Sequence, residues 1–160
     1  MSLREEFFRA ISSLRRRWLN IYCHRAYRLS PKPLLGMEKG VVTIFFDYEG
    51  KWARADQGEN CRRGVNCILD ILEAENIRGT FNIVGELLKD ETSVVERIQS
   101  NNHEIASHTL RHTVVDNFSA SQMAEDITKF KKLSIIRNIR LRGFRGPRSR
   151  WTPKTLRGLL

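Results

Sequence analysis

Apolar and polar positions follow two different rhythms along this chain. Between residues 3 and 29, Leu3, Phe7, Ile11, Leu14, Trp18, Ile21 and Ala26 recur near every 3.6 residues, which predicts an amphipathic helix. The opposite face carries Arg4, Arg9, Arg15, Arg16, Arg17, Arg25 and Arg28. Ser30-Pro31-Lys32-Pro33 then stops the helix, because a residue that precedes proline is pushed out of the helical region. Beyond this stiff linker, strand and helix patterns alternate. Residues 41–46 are a continuous β-branched and aromatic run, the pattern of a parallel strand buried on both faces. Val65, Ile68, Leu69, Ile71 and Leu72 mark a helix that ends near Asn76, and residues 79–84 mark a second strand. Val94, Val95 and Ile98 mark the next helix, and residues 103–106 a third strand. Ser119 with Gln122 forms a capping box ahead of a helix that reaches about Leu133. Residues 140–144 are expected as a fourth strand, and a last helix begins after Trp151-Thr152-Pro153. Repeated β-α units of this kind predict an α/β fold with a parallel sheet or barrel. The chain divides into residues 1–39, a basic helix with its linker, and residues 40–160, the α/β domain.

Composition changes this picture in one respect. At 160 residues and 41% hydrophobic, the chain can bury one ordinary core. The net charge of +10 is unevenly placed: residues 129–160 hold eleven basic residues and no acid, whereas the middle of the chain is acidic. Basic ends suit an anionic partner. Residues 3–29 could lie on an anionic membrane surface, or pack on their own domain and show arginine to solvent. Nucleic acid is the weaker candidate, because no recognition motif accompanies the charge. Cys23, Cys61 and Cys67 have no metal-type spacing and are expected as buried free thiols, which fits a reducing compartment. No N-terminal apolar run is long enough for a signal peptide or a membrane span. The expected location is therefore the cytoplasm, at most peripheral to a membrane.

The candidate chemistry falls where strands end. Phe45-Phe46-Asp47-Tyr48-Glu49-Gly50 is an apolar run that stops at two carboxylates. Two residues apart on an extended segment, these side chains would point the same way. His108 and His112 follow the third strand and would share a helix face or meet across a turn. Two imidazoles and a carboxylate suit zinc or its first-row neighbours, and three protein ligands leave a position open for water. Arg145-Gly146-Pro147 follows the fourth strand and could hold a rigid arginine beside the acid pair. In parallel α/β folds, chemistry gathers at this end of the strands. His103 is expected to be structural, and Arg148 and Arg150 solvated.

In order, Phe46-Asp47-Tyr48-Glu49-Gly50, Ser107-His108-Thr109-Leu110-Arg111-His112 and Phe144-Arg145-Gly146-Pro147 resemble the first three motifs of the polysaccharide deacetylases, the NodB-homology or carbohydrate esterase family 4 fold. The resemblance covers about residues 40–160. It implies a (β/α) barrel that removes an acetyl group from an N-acetylated sugar or a small amide with a divalent metal, zinc by donor type. By motif position, Asp47 is the general base, Arg145 orients it, and Glu49, His108 and His112 are metal ligands. Pro147 and Trp151 are the candidate substrate contacts. Tyr48 separates two acids that are adjacent in most of the family, so the base and ligand roles of Asp47 and Glu49 could be exchanged. No histidine follows His112, where the family's later motifs place the acid for the leaving amine. The expectation is an incomplete domain, impaired in turnover or acting only as a carbohydrate- or partner-binding remnant.

Overall fold

A computed structural model describes residues 42–53 and 58–160. The helix expected at 3–29, its linker, Cys23 and the membrane-surface assignment lie outside the described residues. Among the described residues, no helix is long and apolar enough to cross a membrane.

Three parallel strands form the centre: β1 (Phe45–Tyr48), β2 (Thr80–Ile83) and β3 (Glu104–Ser107), in the spatial order β1-β2-β3. Their register places Asp47 beside Asn82, and Ile83 beside Ser107. Five helices connect or follow them: α1 (Glu59–Ala74), α2 (Leu87–Asp90), α3 (Thr92–Ser100), α4 (Ala120–Ile136) and α5 (Pro153–Leu159). The alternation read from the sequence is thus present, with β1 starting later than expected. As an outer strand of the sheet, β1 leaves Phe45 49% exposed, so it is not buried on both faces.

Phe81, Ile83, Leu69, Leu88, Ile98, Met123 and Phe130 meet in one core. Each fully buried side chain of this size contributes roughly 1.5–3 kcal/mol by leaving water. The capping box of α4 is formed: the Gln122 N–H donates to Ser119 Oγ at 3.1 Å, and the Ser119 N–H to Gln122 Oε1 at 2.8 Å. These bonds satisfy two N–H groups that the first turn cannot.

Two further expectations need correction. Residues 140–144 do not form a fourth strand; only Phe144 bridges Ser107 in parallel. The Ser107 N–H donates to Gly143 O and the Arg145 N–H to Ser107 O, both at 2.9 Å. A central parallel strand must be apolar on both faces, and Arg140 and Arg142 stay exposed, opening a cavity of about 350 Å³ against the start of β3. Pairing resumes at Gly143, where a Cβ would lie 3.0 Å from Ala106 Cβ. The second correction concerns the thiols: Cys61 is half-buried and Cys67 is exposed. The buried stripe of α1 runs through Val65, Leu69 and Leu72, and Cys67 sits two positions from Val65, off that stripe.

His103 is structural, as expected. It is buried, and its Nδ1 accepts the Gly79 N–H at 3.1 Å at the mouth of β2.

Candidate metal centre

The site is built on the C-terminal ends of the three strands. Asp47 lies inside β1, and Tyr48 turns into the core with 1% exposure. Burial raises the Tyr48 hydroxyl above its ordinary range, so it stays a neutral core group. At Glu49 the backbone is no longer extended (φ −103°, ψ −17°), and Gly50 follows in the left-handed region at φ 53°. A side chain at Gly50 would be strained and would strike Leu87. This bend corrects the expectation of two acids on one extended segment. Their carboxylates serve different partners.

The Asp47 carboxylate is gripped from two sides. Asn82 Nδ2 donates to its Oδ1 at 2.8 Å, and Arg145 Nε to its Oδ2 at 3.2 Å. Arg145 Nη2 also donates to Ser149 Oγ at 2.8 Å, and its guanidinium covers the Phe45 ring at 4.4 Å. The arginine is thereby held from three sides.

The Glu49 carboxylate turns instead to the histidines. Its Oε1 lies 3.0 Å from His112 Nε2 and 3.7 Å from His108 Nε2. One ligand atom from each of Glu49, His108 and His112 falls within 4.8 Å of the others. The imidazoles meet across a turn rather than along a helix, with ring centroids 5.2 Å apart. Thr109 (φ 64°) and His112 (φ 55°) take left-handed backbone angles to achieve this, which few side chains adopt without compensation. Here the Gly85 N–H holds Thr109 O at 3.0 Å, the Glu86 N–H holds Leu110 O at 3.1 Å, and the Thr113 N–H reaches Thr109 Oγ1 at 3.0 Å.

The donor set fits a metal ion. Both Nε2 atoms are buried and lack a hydrogen-bond partner, a state that costs free energy unless another ligand completes it. His108 Nδ1 lies 2.7 Å from the carbonyl of Arg145. A carbonyl only accepts, so Nδ1 carries the proton and the Nε2 lone pair faces Glu49 and His112. Burial, outweighing the bond to that carbonyl, keeps His108 below the ordinary imidazole range, in the neutral form that binds metal.

Asp47, Glu49, His108, His112 and Arg145 therefore gather at one rim. Pro147 is buried in the turn that follows Arg145, and Trp151 is half-buried beyond it. Among the described residues, no hydrogen bond or ring contact ties either of them to the five. Arg148 is exposed, and Arg150 pairs with Asp116 at 3.3 Å. Sequence reasoning missed Asn82, whose signal was an amide side chain set between Phe81 and Ile83 in β2. It also missed Asp126, which accepts the Leu110 N–H with both oxygens at 3.1 Å and has no local sequence signal.

The fold and this cluster define a carbohydrate-deacetylase architecture, and the chain belongs to the polysaccharide deacetylase family, whose sequence profile matches residues 36–159. It is similar to the peptidoglycan-N-acetylmuramic acid deacetylase PdaA of Bacillus subtilis (strain 168), at 27% identity over 60 residues, 38% of this chain and 23% of that protein. It is also similar to the chitooligosaccharide deacetylase of Rhizobium leguminosarum bv. phaseoli, at 41% identity over 46 residues, 28% of this chain and 20% of that protein. The chain thus spans less than a quarter of the length of these curated relatives. Among solved structures, it resembles a family 4 acetyl xylan esterase from Clostridium thermocellum in complex with cobalt. That match has a TM-score of 0.59 at 23% identity and covers 74% of this chain and 54% of the other. A CE4 family pseudoenzyme from Bacillus anthracis matches with a TM-score of 0.64 at 17% identity, over 76% of this chain and 40% of the other. These likenesses show the (β/α) barrel fold, of which the three strands and the Phe144 bridge are part.

Proposed function

We propose that this chain carries a metal-dependent amidohydrolase site that deacetylates an N-acetylated carbohydrate or a small amide. The observation that carries the reading is the convergence of Glu49, His108 and His112 with two buried Nε2 atoms that make no hydrogen bond and face the Glu49 carboxylate, next to a carboxylate held by Arg145 and Asn82. Glu49 and the two imidazoles would hold a divalent ion, zinc by donor type. When bound, the ion supplies polarisation of the amide carbonyl and a water of lowered pKa.

Asp47 is the general base in this reading, since Arg145 and Asn82 hold its carboxylate and it lies outside the Glu49–His108–His112 cluster. It takes the proton of the attacking water as the carbonyl carbon becomes tetrahedral. Arg145 and Asn82 fix the direction in which its oxygens point. The C–N bond then breaks, giving acetate and a free amine. That amine needs a proton, and Asp47 holds the one taken from the water. The second reading is a carbohydrate- or partner-binding domain without turnover.

The direct test is release of free amine and acetate from N-acetylated glucosamine oligomers by the zinc-loaded protein. Amine release that disappears in Asp47→Asn supports the hydrolase. Saccharide binding without any amine release supports the binding domain. Location in the cytoplasm or on an anionic membrane surface belongs to this proposal as well, supported by the arginines of residues 3–29. Tagged protein recovered outside the cell would remove it.

A further inference from the structure

The turn between the two histidines is fastened from outside the site. Its Thr109–Leu110 peptide is held at both ends: Thr109 O accepts the Gly85 N–H at 3.0 Å, and the Leu110 N–H donates to Asp126 Oδ1 and Oδ2, both at 3.1 Å. This is the peptide that follows the left-handed Thr109, so its orientation decides where the chain goes between His108 and His112. Asp126 comes from α4, in a different part of the sequence, and its α4 neighbours Met123, Ile127 and Phe130 are buried in the core. Its position is thus set by the fold rather than by the loop.

Among the described residues Asp126 makes no ion pair; the nearby Lys129 is engaged by Glu125. Burial raises its carboxyl above the ordinary carboxylate range, against the opposing effects of the Leu110 N–H and, more weakly, of Lys129. A half-buried carboxylate without a directly paired cation is costly, and among the described residues its one direct backbone partner is this peptide. We infer that Asp126 is a positioning residue of the metal centre, whose carboxylate sets the separation of His108 and His112 by clamping the Thr109–Leu110 peptide. The inference rests on the metal-binding reading of those histidines.

The experiment measures Zn²⁺ affinity by competition with a chromophoric chelator, together with hydrogen exchange of the Leu110 amide in the metal-free protein. Asp126→Ala is expected to raise the Zn²⁺ dissociation constant about 10–100-fold, the usual effect of losing an outer-shell partner, and to speed Leu110 exchange. Asp126→Asn keeps one acceptor oxygen and should have a smaller effect on both, which also covers the case in which the alanine variant folds poorly. Glu125→Ala, on the exposed side of α4, should change neither. Unchanged affinity and unchanged Leu110 exchange in both Asp126 variants would overturn the inference. If the parent protein takes up no Zn²⁺, the metal-binding reading fails by itself. Leu110 exchange then decides whether Asp126 clamps the turn, and exchange at the parent rate overturns that as well.

Discussion

The imidazole of His108 donates through Nδ1–H to the backbone carbonyl of Arg145 at 2.7 Å, while the side chain of Arg145 grips Asp47. One residue therefore reaches two parts of the site by two different groups. Its carbonyl fixes the tautomer and direction of a proposed metal ligand, and its guanidinium fixes the proposed base. The two roles are separable by mutation.

Arg145→Ala removes the guanidinium and leaves the carbonyl in place. Metal affinity is expected to stay near that of the parent, while amide hydrolysis falls roughly 10²-fold through loss of a fixed base geometry. Arg145→Lys keeps the charge but not the planar fork and should recover only part of the loss. Parallel metal titration and amine-release assays check this. Equal losses in both would show that the arginine acts on the whole turn rather than on Asp47.

Gly85 permits the close passage of the histidine turn over the start of α2. A Cβ there would lie 2.8 Å from Phe130 Cδ2 and 3.2 Å from Leu110 Cα. Gly85→Ala should destabilise the protein by about 1–3 kcal/mol, as overpacking of a filled core does, and weaken metal uptake together with stability. Urea midpoints with and without Zn²⁺ would report both effects. A parent-like midpoint would show that the core yields at this point.

The metal-free protein is expected to lose stability as pH falls below about 6.5, the ordinary imidazole value. Burial, with a smaller contribution from Arg78, holds His103 below that value, and burial does the same to His108. In this window the unfolded chain binds more protons than the folded one, so the free energy of unfolding decreases with decreasing pH. Urea unfolding in the presence of a chelator, at pH 7.5 and 5.5, should show a smaller drop for His103→Gln than for the parent. An equal drop would mean that His103 takes up its proton as readily in the fold as outside it.

Much of the site was legible because its residues break strong local patterns. Asp47 and Glu49 end an apolar run, and His108 and His112 follow another, so strand periodicity alone brings both groups to one rim. The finer geometry was less accessible. Periodicity could not separate a helix from a turn for the histidine pair, because the turn depends on left-handed angles at Thr109 and His112 held by Gly85 and Glu86. It also carried the strand pattern too far at residues 140–144, where alternating arginines remain solvated. Asn82 and Asp126 matter through partners far along the chain, Asp47 and Leu110, and such contacts come from tertiary packing rather than local spacing.

The central claim is that Glu49, His108 and His112 form one metal site that excludes Asp47 as a ligand. The most direct test is isothermal titration of the apo protein with Zn²⁺, comparing the parent with His108→Ala and Asp47→Asn. One ion per parent chain, uptake abolished in His108→Ala, and parent-like affinity in Asp47→Asn is the predicted result. No uptake by the parent, or equal uptake by His108→Ala, would contradict it.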